Sequence, residues 1–188
     1  SLIQQHNSHL LVNRDKMTLD LFINEDSYYR THIGGTIETS KELEMFGINN
    51  GKRWQPSNLS LFVKMNRTYF LDRTENMSLV STLKNFKAKV SQDIERLKEE
   101  NGSMTDNFSQ VVDSNLPKSF KINIPLFKGM TSSEVEVEIY ADVDGRDVSL
   151  SLMSAGANEL MEEYKNSAID AQLSLIREIA PNLAIIEV

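Results

Sequence analysis

Three carboxylates around a glycine are the residues whose types and spacing come nearest to a metal site. They are Asp142, Asp144 and Asp147 in the segment DVDGRD. Clustered carboxylate oxygens suit Ca²⁺, but an EF-hand loop needs glycine at its sixth position, glutamate at its twelfth and a helix on either side. Here the glycine comes early and strand-like runs flank the segment, and Asp-Gly is a common hairpin turn. We therefore interpret DVDGRD as a turn rather than a calcium site.

The histidines offer a weaker candidate for metal binding. His6 and His9 have a spacing that binds zinc when both residues lie on one helix, but no third ligand is close to them in the sequence. His32 stands alone in a strand-like run. We predict no metal site and no cofactor.

Several glutamates recur at regular spacing and could act as paired acids and bases. Glu159 and Glu163 are one helical turn apart, whereas Glu134, Glu136 and Glu138 alternate along a strand-like run. Glutamates in both patterns usually line a solvated face. The chain also lacks a nucleophile elbow, a P-loop, a dinucleotide fingerprint and a His-Glu-x-x-His motif. We therefore predict no catalytic residues and a protein that is not an enzyme.

A basic segment at residues 52–73 is a candidate nucleic-acid surface, because cations around an aromatic ring can neutralise and stack single strands. Its candidate residues are Lys52, Arg53, Trp54, Lys64, Arg67 and Arg73. Against this, the chain has a net charge of −7, and residues 129–188 hold only 3 Lys/Arg against 12 Asp/Glu. Such an acidic part repels phosphates. The same acidic part leaves open a role as a decoy that binds a basic partner.

Length and composition indicate an ordinary globular protein. The 188 residues, 40% of them hydrophobic, suffice for one domain, in which residues 8–50 form a small β lobe and residues 51–188 the main part. The absence of cysteine excludes disulfides and thiolate chemistry. No apolar run is long enough to span a membrane and no signal peptide is visible. We expect a cytoplasmic location.

Three successive strand-like runs dominate residues 119–153. Apolar residues alternate with polar ones in SFKINIPLF, SEVEVEIY and DVSLSLM, which predicts an antiparallel meander with one buried face. Between the first two runs, Pro125 has no N–H for the ladder and Lys128-Gly129 begins a polar connection. We interpret PLFKG as a bend. A phosphate-binding loop would need several glycines and a following helix.

Helices are expected before and after this meander in the sequence. The first runs from about Asn58 to Phe70 with Ser57 as its cap. Its predicted apolar face is Leu61, Phe62, Met65 and Tyr69. The second opens at Asp72 and ends at Asn101-Gly102. Its predicted seam is Leu79, Leu83, Phe86, Val90, Ile94 and Leu97, expected to pack on a sheet, with self-pairing as the alternative.

The last helix is expected to lie across the sheet, stop at Pro181 and precede a final strand or docked tail, LAIIEV. Its predicted apolar face is Leu160, Tyr164, Ala168, Ala171, Leu175 and Ile179. Near the other end of the chain, residues 9–39 predict a small antiparallel sheet, with Gly34-Gly35 as a bulge or bend. The fold class is therefore α+β, an N-terminal hairpin region and a C-terminal meander packed by two or three helices.

The segment NLPKSFKINIPLFKG, followed by EVEVEIYADVDGRDVSLSL and an acidic closing helix, resembles an uncharacterised phage and prophage family labelled YfdQ-like. The resemblance covers residues 45–188 and includes a Trp-containing stretch before a helix, matched by Lys52-Arg53-Trp54 and NLSLFVKMNRTYF. The resemblance is a pattern of strands with Pro, Phe and Gly residues between them, and it includes no catalytic signature. It implies a bacteriophage or bacterial origin and transfers no active site.

We predict a non-enzymatic phage-type protein that works through protein–protein contacts, with a protein partner or a second copy of itself in a homo-oligomer. It would reside in the cytoplasm of a bacterial host and would not contact a membrane. The alternative is a nucleic-acid-associated accessory protein that uses residues 52–73.

Overall fold

The computed structural model describes residues 1–101 and 107–188 and has the α+β fold expected from the sequence. Its helices are α1 Leu2–His6, α2 Lys41–Phe46, α3 Pro56–Met65, α4 Arg73–Asn101, α5 Phe108–Asn115 and α6 Ala155–Ile179. Its strands are β1 His9–Asn13, β2 Thr18–Ile23, β3 Thr31–Thr36, β4 Ser119–Ile124, β5 Ser133–Asp144, β6 Asp147–Met153 and β7 Ala184–Glu187. The short helices α1, α2 and α5 were not expected.

The chain divides into two units. Unit 1 contains residues 1–39 and 158–188, and unit 2 contains residues 40–157. The sequence-based parts, 8–50 and 51–188, place the boundary elsewhere and keep residues 158–188 with the second part. Unit 1 is discontinuous because the C-terminal strand pairs with the first strand of the chain.

The sheet of unit 1 has the strand order β3-β2-β1-β7. The pairs β1–β2 and β2–β3 are antiparallel, which confirms the small N-terminal sheet. The final strand β7 lies parallel to β1, with His9 opposite Ala184. Gly34 and Gly35 sit opposite Asp20 and Leu19 in an unbroken ladder, so the expected bulge or bend at these glycines is wrong.

Helix α6 covers the inner face of this sheet. Leu10 and Val12 of β1 form a buried cluster with Ile169 and Leu173 of α6. Of the predicted apolar face of α6, Leu160, Tyr164 and Ala168 are half-buried, whereas Ala171, Leu175 and Ile179 are exposed. The side chains that the helix buries in this cluster, Ile169 and Leu173, were not predicted. The helix carries apolar residues around more of its circumference than the sheet can cover, so spacing alone does not identify the buried face.

The sheet of unit 2 is the predicted meander, with strand order β4-β5-β6 and antiparallel pairs throughout. Its buried residues alternate as expected: Phe120, Ile122, Ile124, Val135, Val137, Ile139, Leu150 and Leu152. Alternation identifies the buried face because a shift of one residue would turn every one of these side chains outward.

Helix α4 packs with the predicted seam inward. Leu79, Leu83, Phe86 and Val90 are buried, and the last two form a cluster with α5 that also contacts Val148 of the sheet. The seam is thus buried as predicted, but mainly against α3 and α5 rather than directly on a sheet. The predicted C-cap at Gly102 lies outside the described residues.

Helix α3 packs on α4 through a different face from the predicted one. Leu59 and Val63 are fully buried, whereas Leu61 and Met65 are exposed. Leu61 and Met65 both lie within the helix, so their spacing alone did not identify the face that α4 covers. Tyr69 lies beyond the helix, in a separate 3₁₀ turn. The helix also begins at Pro56 rather than after a Ser57 cap.

The PLFKG segment is a bend between β4 and β5, as interpreted from the sequence, and it is also part of the core. Leu126 and Phe127 are buried, and Gly129 takes a positive φ of 77° at the start of the connection. The Ser40 backbone N–H donates to the Leu126 carbonyl at 2.9 Å, and the Ser40 hydroxyl donates to the Pro125 carbonyl at 2.5 Å. The bend therefore anchors the start of α2.

Candidate functional site

The predicted basic segment begins beside the C-terminus of α2. Lys52 Nζ donates a hydrogen bond to the Met45 carbonyl at 3.1 Å and lies 3.9 Å from the centroid of the Trp54 ring. The half-buried indole donates to the Phe46 carbonyl at 3.2 Å and packs 4.8 Å from Phe62. These donors satisfy carbonyls at the end of a helix, where a cation is also favourable. The ring and the amine thus contact each other and the helix.

The remaining cations of this segment are spread over several elements. Arg53 pairs with Asp142 at 2.9 Å, which compensates its charge. Lys64 lies in the last turn of α3, Arg67 in the 3₁₀ turn and Arg73 at the start of α4. These three are exposed and have no ion pair within the described part of the chain. The nucleic-acid hypothesis for residues 52–73 stays a prediction.

The DVDGRD segment is a tight hairpin turn, as interpreted from the sequence. Asp144 and Asp147 are the last pair of the β5–β6 ladder, and Gly145 between them has a φ of 62°. Asp142 points its carboxylate at Arg53. Among residues 1–101 and 107–188, no group of three His, Asp or Glu side chains is arranged to hold a metal ion.

The regularly spaced glutamates lie on exposed surfaces of β5 and α6. They are Glu134, Glu136, Glu138, Glu159 and Glu163. Glu134 pairs with Lys121 at 3.3 Å, and Glu136 accepts a hydrogen bond from the Ser119 hydroxyl at 2.7 Å. These are cross-strand contacts of a solvated sheet face.

One carboxylate on this face perturbs a neighbouring phenol. The Tyr140 hydroxyl donates a hydrogen bond to Glu138. That bond, reinforced by the charge of Glu138, raises the pKa of Tyr140 because the neutral phenol is the hydrogen-bond donor.

Two histidines form an aromatic ladder in unit 1 that the sequence analysis missed. His9, Phe22 and His32 lie side by side on β1, β2 and β3, with ring centroids 5.0 and 4.6 Å apart. His9 Nδ1 lies 2.6 Å from Glu25, and His32 Nε2 lies 2.8 Å from Asp20. Each imidazole is thus oriented by a carboxylate, as in general-base dyads. The phenylalanine ring separates the two imidazoles, so they cannot chelate one ion.

Gly34 leaves room for one of these pairs. A Cβ at this position would lie 3.2 Å from the Asp20 carboxylate oxygen and 3.8 Å from the His32 ring. The strand register that creates this neighbourhood is long-range, so the sequence offered no local signal for the ladder. His6 and His9 do not share the single helix that zinc binding by this pair would need, because His6 ends α1 and His9 begins β1.

Large apolar side chains are exposed at one end of unit 1, where β1 begins and β2 ends. We call this surface the apolar end: Leu2, Ile3, Tyr28, Tyr29, Ile33, Leu175 and Ile179. Helix α1 lies at this end because Asn7 and Gln5 accept hydrogen bonds from Glu25 and Asn182, respectively. Exposed apolar surface of this kind marks interaction sites in soluble proteins.

The edge strand β3 adjoins the apolar end. All six of its residues are exposed, and no strand pairs with its outer edge within the described residues. In unit 2, by contrast, the outer edge of β6 is covered by the segment before α3. Trp54 there exchanges two backbone hydrogen bonds of 2.8 Å with Leu150.

None of the described helices is both long enough and apolar enough to cross a lipid bilayer. The chain was also compared with models of protein families, with curated proteins and with solved structures, and none of the three comparisons found a match.

Proposed function

We propose that the protein acts through protein–protein contacts rather than through catalysis, and that it pairs with a second copy of itself along β3. The observation that carries the proposal is the uncovered β3 edge next to the apolar end. An edge strand presents a row of unpaired N–H and C=O groups that another strand can bind.

The edge of β3 lacks the features that usually block such pairing. Natural edges are protected by proline, by lysine, by bulges or by being short. The sequence THIGGT contains neither proline nor lysine, and it pairs with β2 in all six positions without a bulge. The opposite edge of the sheet, β7, is only four residues long.

A second copy fits this edge by symmetry. Two β3 strands related by a two-fold axis run antiparallel, so each presents the same groups to the other. Six residues paired in this way form roughly six hydrogen bonds. At a net ~0.5–1.5 kcal/mol for each bond, they contribute about 3–9 kcal/mol. Association costs about 4–15 kcal/mol in lost translational and rotational freedom. Over most of these two ranges the cost exceeds the gain, so a stable dimer needs a further contribution.

The apolar end supplies the missing contribution. Tyr28 and Tyr29 lie just before β3, separated from it by Arg30. They are 93% and 84% exposed and contact each other edge to face with centroids 5.2 Å apart. Ile33 within the strand is also exposed. Burial of this apolar surface stabilises the dimer by roughly 25 cal/mol per Å². We expect a dissociation constant of about 1 μM, which corresponds to ~8 kcal/mol of binding free energy.

Multi-angle light scattering after size exclusion, over loading concentrations from ~0.1 to ~100 μM, tests the proposal. The mass should rise from that of the monomer to that of the dimer across this range. Ile33→Lys places a charge on the strand edge, and Tyr28→Ser with Tyr29→Ser removes the two rings. Each variant should weaken association by more than about tenfold, or ~1.4 kcal/mol.

The matched control is Val188→Ser. Val188 is 68% exposed, and its backbone N–H donates to Val12 at the opposite end of β1. Its replacement should leave association unchanged. A protein that remains monomeric at the highest concentration, or a dimer that Ile33→Lys does not weaken, would contradict the proposal.

A further inference from the structure

A groove in unit 2 lies between α4 and the tip of the β5–β6 hairpin. The start of α3 and Phe108 of α5 also line it. Its volume is about 710 Å³. Sites for small molecules typically measure ~300–1,000 Å³, so the groove has the size of such a site.

The floor of the groove is apolar. Ile94, Phe108 and Val148 line it and are only half-buried, so they offer carbon surface to a ligand. Beneath them, Phe86 and Val90 are buried and fix the shape of the floor through the packing of α4 on α5. The floor is therefore preformed.

The rim of the groove is basic. Lys84, Lys87, Lys98 and Arg146 line it. No ion pair or hydrogen bond to a carboxylate involves any of these four cations in the described ranges 1–101 and 107–188. Four cations elsewhere, Arg14, Arg53, Lys121 and Lys165, are paired with carboxylates, whereas others such as Lys64, Arg67 and Arg73 are not paired among the described residues.

Two carboxylates also line the groove, Glu95 and Asp147, so two of the four cationic charges remain uncompensated. These unpaired charges face one groove in a chain whose net charge is −7. Like charges gathered around a low-dielectric wall repel each other and favour an anion between them.

We propose that this groove binds a small amphipathic anion, an alkyl or acyl chain that ends in one carboxylate, phosphate or sulfate group. The chain lies on Ile94, Phe108 and Val148. The charged head lies beside Lys84 and Lys87, since Lys98 is about three turns further along α4. Charge complementarity selects this ligand over an uncharged one. A single nucleic-acid strand is a poorer fit, because the lining holds two aromatic rings, Phe86 and Phe108, of which Phe86 is buried, and stacking of successive bases needs several exposed rings.

Isothermal titration calorimetry with dodecanoate and with dodecyl phosphate, at concentrations below those at which they form micelles, tests the proposal. Both should bind with saturable one-to-one stoichiometry, and added salt should weaken both, because the rim charges are screened. Whichever binds more tightly identifies the preferred head group. Dodecanol, which has the chain without the charge, should bind at least tenfold more weakly.

Variants then separate the rim from the floor. Lys84→Glu with Lys87→Glu should lower the affinity for dodecanoate by at least tenfold. Lys89→Glu is the matched control, because Lys89 is exposed on the same helix but does not line the groove. Ser91→Tyr should obstruct the groove without changing its charge and should also abolish binding. Far-ultraviolet circular dichroism confirms that each variant is folded.

Four results would overturn the proposal. The first is that neither anion binds saturably, and the second is that Lys87→Glu and Lys89→Glu lose equal affinity. The third is that dodecanol binds as tightly as dodecanoate. The fourth is that the protein binds anionic vesicles or an acidic amphipathic peptide but not the free amphiphile.

Discussion

Replacing Ser40 by alanine removes one hydroxyl that serves two hydrogen bonds at the start of α2. The oxygen accepts a hydrogen bond from the Leu43 backbone N–H at 3.0 Å and caps the helix. The hydroxyl also donates a hydrogen bond to the Pro125 carbonyl at 2.5 Å. Ser40 is 1% exposed, so water cannot readily replace these contacts. The backbone hydrogen bond from Ser40 to Leu126 stays in place.

The expected loss follows from these two bonds. Removal of a serine cap costs about 1 kcal/mol. A carbonyl left without its donor costs ~1–3 kcal/mol, and the lower part of that range applies because Pro125 is only half-buried. Together they destabilise unit 2 by about 2–3 kcal/mol. With a urea m value of ~2 kcal/mol per M, the midpoint of unfolding should fall by ~1–1.5 M.

Trp54 makes the measurement specific for unit 2, because it is the single tryptophan of the chain and lies within residues 40–157. Urea titration followed by tryptophan fluorescence therefore reports on this unit, and the slope should match that of the unsubstituted protein. Ser57→Ala, at an exposed hydroxyl in the first turn of α3, should change the free energy of unfolding by less than about 0.5 kcal/mol. Equal midpoints for Ser40→Ala and Ser57→Ala would refute the reasoning.

Two further predictions concern surface groups. The pKa of Tyr140 is raised, so its hydrogen bond to Glu138 stabilises the fold below the ordinary phenol pKa of about 10 and is lost as the pH rises through the folded value. Spectrophotometric titration should show one tyrosine that ionises at a higher pH than the others, and Glu138→Gln should lower the pKa of that tyrosine. If the titration of this variant is unchanged, the hydrogen bond is not the cause of the raised pKa. In electrophoretic assays, single-stranded DNA should cause no shift at low salt, because Lys52 and Arg53 already have partners. A salt-dependent shift that disappears when Lys52, Arg53 and Lys64 are all replaced by glutamate would instead favour the nucleic-acid alternative.

The elements that the sequence predicted well are those whose burial follows from local spacing. The meander could be predicted because a period of two leaves one choice of buried face, which Val135 and Val137 occupy. The seam of α4 could be predicted because Leu79, Leu83 and Phe86 have few apolar competitors on the other faces of the helix.

The elements that failed are those whose faces depend on distant partners. Helix α6 carries Leu175 and Ile179 on one side and Ile169 and Leu173 on another, and only the sheet of unit 1 decides which pair is buried. The parallel pairing of β7 with β1 has no local signature either, since hydrophobic spacing reports the type of a strand and not its neighbour.

The candidate sites show the same limit. Charge and composition identified Lys52, Arg53 and Trp54 as a group, but the partner of Arg53 is Asp142, far away in the sequence. The groove in unit 2 combines α4 with the hairpin tip at Arg146 and with Phe108, which three separate parts of the chain supply. Its basic rim becomes visible only when the packing is known.

The discontinuity of unit 1 sets an order of events during synthesis. Strands β1 to β3 leave the ribosome early. The α6 residues that bury Leu10 and Val12 emerge only after residues 40–157. Unit 2 can complete its contacts in that interval, because domains fold as their residues are translated. A released chain that ends before residue 158 would therefore have a complete second unit and a first sheet with an uncovered apolar face, the species that chaperones would bind.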